Sequence, residues 1–203
     1  RLHKLYQDSS KVNNHLSATY LRNHRGLSVD NISPDLRHTN RLWHSNEKLP
    51  LPALLAFARN DQGDITGAQA IYLNFDGTKS SYSPNKRSMG QIKGSFVEIQ
   101  KAHTNLTLLA EGVETAMSLK EANIPATILC SLGVHNFKHY QPKENEVVVI
   151  AADHDKENAA TQKALIQAQE ALSPKAKEVM LLKPRIVGDY NDVLQKEDGA
   201  RDI

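Results

Sequence analysis

The chain has 203 residues, 39% of them hydrophobic and 24% charged, a balance that fits a soluble folded protein and excludes a disordered one. A net charge of +2 does not by itself announce a nucleic-acid partner, because phosphate binding depends on local clustering of cations. One cysteine, Cys130, rules out an intrachain disulfide or a cysteine-rich zinc module within these residues, and no apolar run is long enough to cross a bilayer.

The N-terminus RLHKLYQDSS lacks the apolar centre of a signal peptide, so a cytoplasmic location is expected. The first residue is Arg1 rather than a methionine, which suggests a piece of a longer polypeptide with further domains. SATYLRNHRGL, from Ser17 to Leu27, reads as a helix with Ser17 at its N-cap and Gly26 as its stop. The turn-rich stretch that follows, NISPDLRHTNRLWHSNEKLPLP, predicts short strands or irregular structure, with Trp43 packed inside. Strands are expected at Ala53–Arg59, Gly67–Asn74 and Ser95–Ile99, and SYSPNKRSMGQIKGS before the last of these reads as a mobile polar connection.

From about Asn105 the pattern changes to alternation. Strands are expected at Leu106–Ala110, Ala126–Cys130, Val147–Ala152 and Glu178–Leu182, helices at Val113–Ala122 and Lys156–Leu172, and a short helix near Asn191. Such alternation predicts an α/β fold with a mostly parallel sheet flanked by helices and right-handed crossovers. The expected organisation is an N-terminal α+β subdomain over residues 1–104, including the basic connection, and a catalytic domain over 105–203.

Two acidic segments carry the chemistry. LLAEGVETAMSL places Glu111, and VVVIAADHDKENAA places Asp153 and Asp155, where apolar strands give way to helices. In open α/β sheets the carboxyl ends of the strands are where ligands bind. Each motif alone could be a helix cap. Together they would repel one another without a counter-charge, and carboxylates with no cysteine or histidine cluster suit magnesium or manganese better than zinc. Glu114, Asp189 and Asp192 are secondary candidates, Asp189 being first of all a cap for the last helix. Lys86, Arg87 and Lys93, weakly supported by Lys79 and Lys101, are placed to guide a nucleic-acid backbone or a triphosphate.

These residues resemble a known family. AEGVETAMSL is similar to the first motif of Toprim domains and VIAADHDKENAA to their DxD motif, with His154 where a small residue is common. SATYLRNHRGL, the hairpin around ARNDQGDITGAQAIYLNFDGTK, SLGVHN and GDYNDVL resemble pieces of the subfamily found in primase-like proteins of plasmids, phages and integrating elements and in conjugative relaxases. The resemblance spans roughly Leu16 to Leu194. It implies magnesium-dependent nucleotidyl or phosphoryl transfer on DNA, with Asp153 and Asp155 as metal ligands, Glu111 as a third ligand or the acid/base, and single-stranded DNA and nucleoside triphosphates as partners. It equally implies two rivals: a non-catalytic DNA-binding or structural module of a relaxase, and a metal-dependent nicking nuclease.

Other motifs are absent. No histidine pair carries the Glu of an HExxH zinc helix, Ser131 lacks the GxSxG of a nucleophile elbow, and no GxxxxGK[ST] phosphate loop occurs. Cys130 reads as a small core filler.

Overall fold

The structure, a computed structural model, describes residues 1–153, 158–184 and 188–201. The chain divides into two compact units, Arg1–Ile92 and Lys93–Ile203.

The first unit is built on a five-stranded antiparallel sheet in the order β1-β2-β3-β4-β5. Its strands are β1 (Ser10–Lys11), β2 (Leu36–His44), β3 (Leu49–Arg59), β4 (Ile65–Tyr72) and β5 (Lys86–Gly90), accompanied by helices α1 (Leu2–Asp8) and α2 (Leu16–Arg25). β3 is buried on both faces from Leu51 to Ala58, which explains its unbroken apolar run. Leu51, Ala53, Leu55 and Phe57 face one side, against Leu2, Leu5 and Tyr6 of α1. Residues alternate between faces along a strand, so Leu54, with His38 as its register partner, faces the other side, where α2 packs. There His38 Nε2–H donates to Asn40 Oδ1 and Nδ1 accepts from Ser17 Oγ, both at 2.8 Å. Burial holds the His38 pKa below its usual value, which keeps the ring in this neutral form.

Several local expectations change here. His15, not Ser17, is the N-cap of α2, because Ser17 is turned inward to His38. Gly26 ends the helix as expected, in the left-handed conformation at φ 64°. The segment Ser81–Ser95 is not simply a polar connection: it contains β5, whose Met89 packs against the β3–β4 core. Trp43, expected inside, is 56% exposed. The strand expected over Ser95–Ile99 is β6 (Val97–Gln100), and it belongs to the second sheet.

The second unit has the mostly parallel sheet flanked by helices that the alternation predicts. Its elements are β6, β7 (Leu106–Ala110), α3 (Val113–Glu121), β8 (Thr127–Cys130), a 3-10 helix (Val134–His139), β9 (Val147–Ala151), α4 (Ala159–Leu172), β10 (Glu178–Leu182) and α5 (Tyr190–Arg201). The strand order is β10-β9-β7-β8-β6, with β6 alone antiparallel to its neighbour. Leu109, Val148 and Ile150 form one core face with Ala164, Leu165, Ala168 and Leu172 of α4 and Phe137 of the 3-10 helix. Cys130 is fully buried, as a core filler should be. At the amino end of the sheet the buried Glu146 carboxylate accepts from the Thr107 and Tyr140 hydroxyls and the Lys143 amide, so its burial is compensated by donors. Among the described residues no helix is long and apolar enough to cross a membrane.

This strand order creates a switch point. The chain leaves β7 through α3 towards β8 on one side and leaves β9 through α4 towards β10 on the other. The two connections diverge, opening a crevice beyond the carboxyl ends of β7 and β9.

Candidate active site at the switch point

β7 and β9 pair in parallel with Ala110 opposite Ala151. Glu111 is therefore one residue beyond the register end of β7 and Asp153 two beyond that of β9, both at the crevice. The backbone around Glu111 is pinned from the neighbouring strand: Ser131 N–H and Oγ–H donate to the Ala110 carbonyl at 2.8 and 3.1 Å, and the Cys130 thiol donates to the Glu111 carbonyl at 3.6 Å. Gly112 is the N-cap of α3 with φ −114°, an ordinary extended value, so the entry into the helix does not rest on glycine's special freedom.

Asp153 is not the cap of the following helix. Asn158 has that position, its side chain accepting from the Ala160 and Thr161 amides. The Asp153 carboxylate instead accepts a hydrogen bond from Thr115 Oγ1, 3.0 Å from its Oδ1, and Thr115 itself is 1% exposed. Thr115 stands one helical turn beyond Glu111, so α3 links the two acidic segments: its start follows Glu111 and its first turn holds Asp153.

The start of α5 closes the same neighbourhood. Asp189 and Asp192 cap the helix reciprocally, each side chain accepting the other's backbone N–H at 2.9 and 3.0 Å. Gly188 precedes them at φ 129°, and a Cβ there would stand 2.2 Å from Asp192 Oδ2, so both conformation and space require glycine. Asn191 is fully buried and donates to Ser118 Oγ at 3.2 Å, while Ser118 donates to the Glu114 carbonyl, tying α5 to α3. The Tyr190 hydroxyl is buried with no hydrogen-bond partner among the described residues. Burial first, and the negative field of Asp153 second, push its pKa up to about 12, so it stays a neutral phenol beside the carboxylate.

The other expected site residues fall as follows. Asp155 and His154 lie outside the described residues, and among those described no three His, Cys, Asp or Glu side chains gather into a group that could hold a metal ion. Glu114 is on the first turn of α3 and 4% exposed. Lys86 and Arg87 are in the edge strand β5 of the first unit. Lys93 is exposed in the second unit, where burial and the charges of Lys93, Lys138 and Lys175 hold His139 below its usual pKa. Sequence reasoning missed Thr115, Ser118, Tyr190 and Asn191. The available signal was Thr115 in EGVET, at the helical spacing that returns it to the face of Glu111.

Carboxylate oxygens at adjoining strand ends, steadied by a hydroxyl and bordered by a neutral phenol, are the donor chemistry of a hard divalent cation. The class so defined is an α/β domain with an acidic crevice at its switch point. Residues 106–200 match the family model described as Toprim domain, and this part of the chain is a Toprim domain. Toprim domains generally bind divalent metal ions. Residues 1–99 match a domain of unknown function, DUF7146. Among curated proteins none matches the chain. Among solved structures, the chain is similar to a DNA primase domain from Pseudomonas aeruginosa, with 13% identity, TM-score 0.60, and 98% of this chain and 75% of that one covered. It is also similar to the DnaG catalytic core, at 16% identity and TM-score 0.63, covering 97% and 74%. For the RNA polymerase domain of Mycobacterium tuberculosis primase DnaG the values are 15%, 0.61, 97% and 77%. At these identities the likeness is one of fold.

Proposed function

We propose that this chain performs magnesium-dependent nucleotidyl transfer on DNA as the catalytic part of a primase-like protein, with the second unit, Lys93–Ile203, carrying the catalysis and the first unit as its accessory. The observation that carries this reading is the emergence of Glu111 and Asp153 at one crevice, from neighbouring parallel strands at the switch point. Asp153 and Asp155 hold the metal, and Glu111 joins them or moves the proton of the attacking hydroxyl. A bound divalent ion supplies charge neutralisation at the phosphoryl group. Thr115 orients Asp153, and Tyr190 presents an uncharged phenol beside it, so neither adds charge to the cluster. Lys86, Arg87 and Lys93 serve single-stranded DNA or nucleoside triphosphates electrostatically. The motif resemblance favours a mobile-element setting, including plasmids and conjugative relaxases.

The test is primer synthesis from labelled ribonucleotides on single-stranded DNA with magnesium. Wild type should give product, and Asp153→Asn should lose it by at least about 100-fold. DNA binding without product, unchanged in Glu111→Ala and Asp153→Asn, would replace this reading with a non-catalytic module. Metal-dependent cutting of the template without synthesis would replace it with a nicking nuclease.

A further inference from the structure

The first unit holds a pocket that neither acidic motif explains. It measures about 270 Å³ and is lined by His44, Ser45, Asn46, Tyr72, Pro84 and Arg87, so no carboxylate lines it. Arg87 lies in the edge strand β5, opposite Ala70. Its side chain makes one hydrogen bond, from Nη1 to Ser45 Oγ at 2.6 Å, and no ion pair among the described residues. A guanidinium carries five N–H donors, so most of this one's donors remain for a ligand.

The walls around it are already satisfied. His44 Nε2–H donates to the Pro84 carbonyl at 3.1 Å and Nδ1 accepts from the Glu47 amide at 3.3 Å. The Tyr72 hydroxyl donates to the Trp43 carbonyl at 2.9 Å, and Asn46 Nδ2 donates to the Ser83 carbonyl at 2.9 Å. The turn after β2 and the segment before β5 are thereby stitched together into a rim. Arg87 is the only arginine or lysine among the lining residues, and no aspartate or glutamate is among them. The His44 ring packs edge-on against Tyr72, and the partly exposed Tyr82 ring lies 6.1 Å from it, so an apolar surface adjoins the cation.

An exposed guanidinium hydrogen-bonded to a hydroxyl and beside an amide, with no competing carboxylate in the lining, is the chemistry of phosphate recognition. We infer that Arg87, braced by Ser45, forms a phosphate-binding subsite in the first unit. The phosphate belongs either to a nucleic-acid backbone or to a nucleoside triphosphate. The inference deepens the nucleotidyl-transfer reading and rests on it for the choice of ligands. The binding itself needs no metal.

The test is therefore run on the full chain in EDTA, where the acidic crevice cannot contribute through a metal. Fluorescein-labelled oligo(dT) is followed by anisotropy at two salt concentrations. ATP and inorganic tripolyphosphate are followed by titration calorimetry. Arg87→Gln should weaken the true ligand by about tenfold, and for oligo(dT) should lower the salt slope by about one. Ser45→Ala should weaken it by about threefold by freeing the guanidinium. Arg41→Gln removes the same charge from an exposed position of β2 and should cost less than about twofold. A loss for oligo(dT) alone assigns the pocket to the backbone, and a loss for ATP and tripolyphosphate assigns it to the triphosphate. An Arg87→Gln protein that melts normally and binds all three probes like wild type overturns the inference, as does an Arg41→Gln protein that loses as much. Asp153→Asn should bind the probes normally in EDTA, so failure at the crevice and failure at the pocket are separable.

Discussion

Replacing Thr115 by valine keeps the shape and β-branching of a helix residue that is 1% exposed, and removes only the donor to Asp153 Oδ1 at 3.0 Å. A hydrogen bond to a charged acceptor contributes about 1.5–3 kcal/mol. Tenfold in binding corresponds to about 1.4 kcal/mol. If that bond holds the carboxylate in its metal-binding orientation, Thr115→Val should weaken magnesium binding by about 10- to 100-fold, the range found when groups behind metal ligands are removed. Titration calorimetry with magnesium chloride reads the change directly. Primer synthesis should fall at limiting magnesium and recover at saturating magnesium, because the ligands themselves remain. Thr115→Ser keeps the hydroxyl and should bind within a few-fold of wild type. A Thr115→Val protein that melts normally and binds magnesium as wild type does would refute the orienting role.

Two further outcomes test other parts of the structure. Arg59 grips Asp35 with Nε at 2.9–3.0 Å and Nη2 at 2.8 Å, and burying Asp35 without it leaves a nearly unexposed carboxylate uncompensated. Arg59→Met should destabilise the first unit by about 2–3 kcal/mol, below the value for fully buried pairs because the arginine is part-exposed; a melting temperature within about 1 °C of wild type would contradict this. In an ultraviolet pH titration, one of the six tyrosines should ionise late, near 12, and that step should vanish from the curve in Tyr190→Phe. Since that pKa is raised on folding, the stability it contributes is present below pH 10 and lost as pH rises through about 12. Asp153→Asn should bring the transition down by removing the neighbouring charge, and an unchanged late transition in that variant would show that burial alone sets it.

The second unit was readable because its central strands β7 and β9 are buried runs with helices after them. LTLLA and VVVIA have no charged residue to blur the run, and Glu178–Leu182 has the bounds expected for it. The first unit hides its strands. β2 carries Arg37, Thr39, Asn40 and Arg41 and shifts register between Thr39 and Leu42, so alternation breaks where the pairing does. β5 shows five residues, KRSMG, of which only Met89 belongs to the core. The helix α1 was missed although Leu2, Leu5 and Tyr6 recur at helical spacing, because a seven-residue segment gives little periodicity to read. Within the crevice, the acidic residues stood out by their place after apolar runs, while Thr115 and Asn191 look like ordinary helix residues until α3 and α5 are set side by side.

That side-by-side packing explains how the crevice can be shaped before any ion arrives. α3 is held at two points along its length: Thr115 to Asp153 near its start and Ser118 to Asn191 one turn on. The first contact holds Asp153 just beyond β9 and the second holds the start of α5, whose own Asp189–Asp192 cap is complete without help from a metal. Asp189 and Asp192 each give one carboxylate oxygen to that cap, so replacing either would cost about 1 kcal/mol or more at the helix end whatever else it binds. Asp153 has no such capping duty, because Asn158 caps α4 in its place. The same accounting that removes Asp153 from a capping role thus assigns Asp189 and Asp192 to one, which makes the carboxylates following β7 and β9 the first to test as metal ligands.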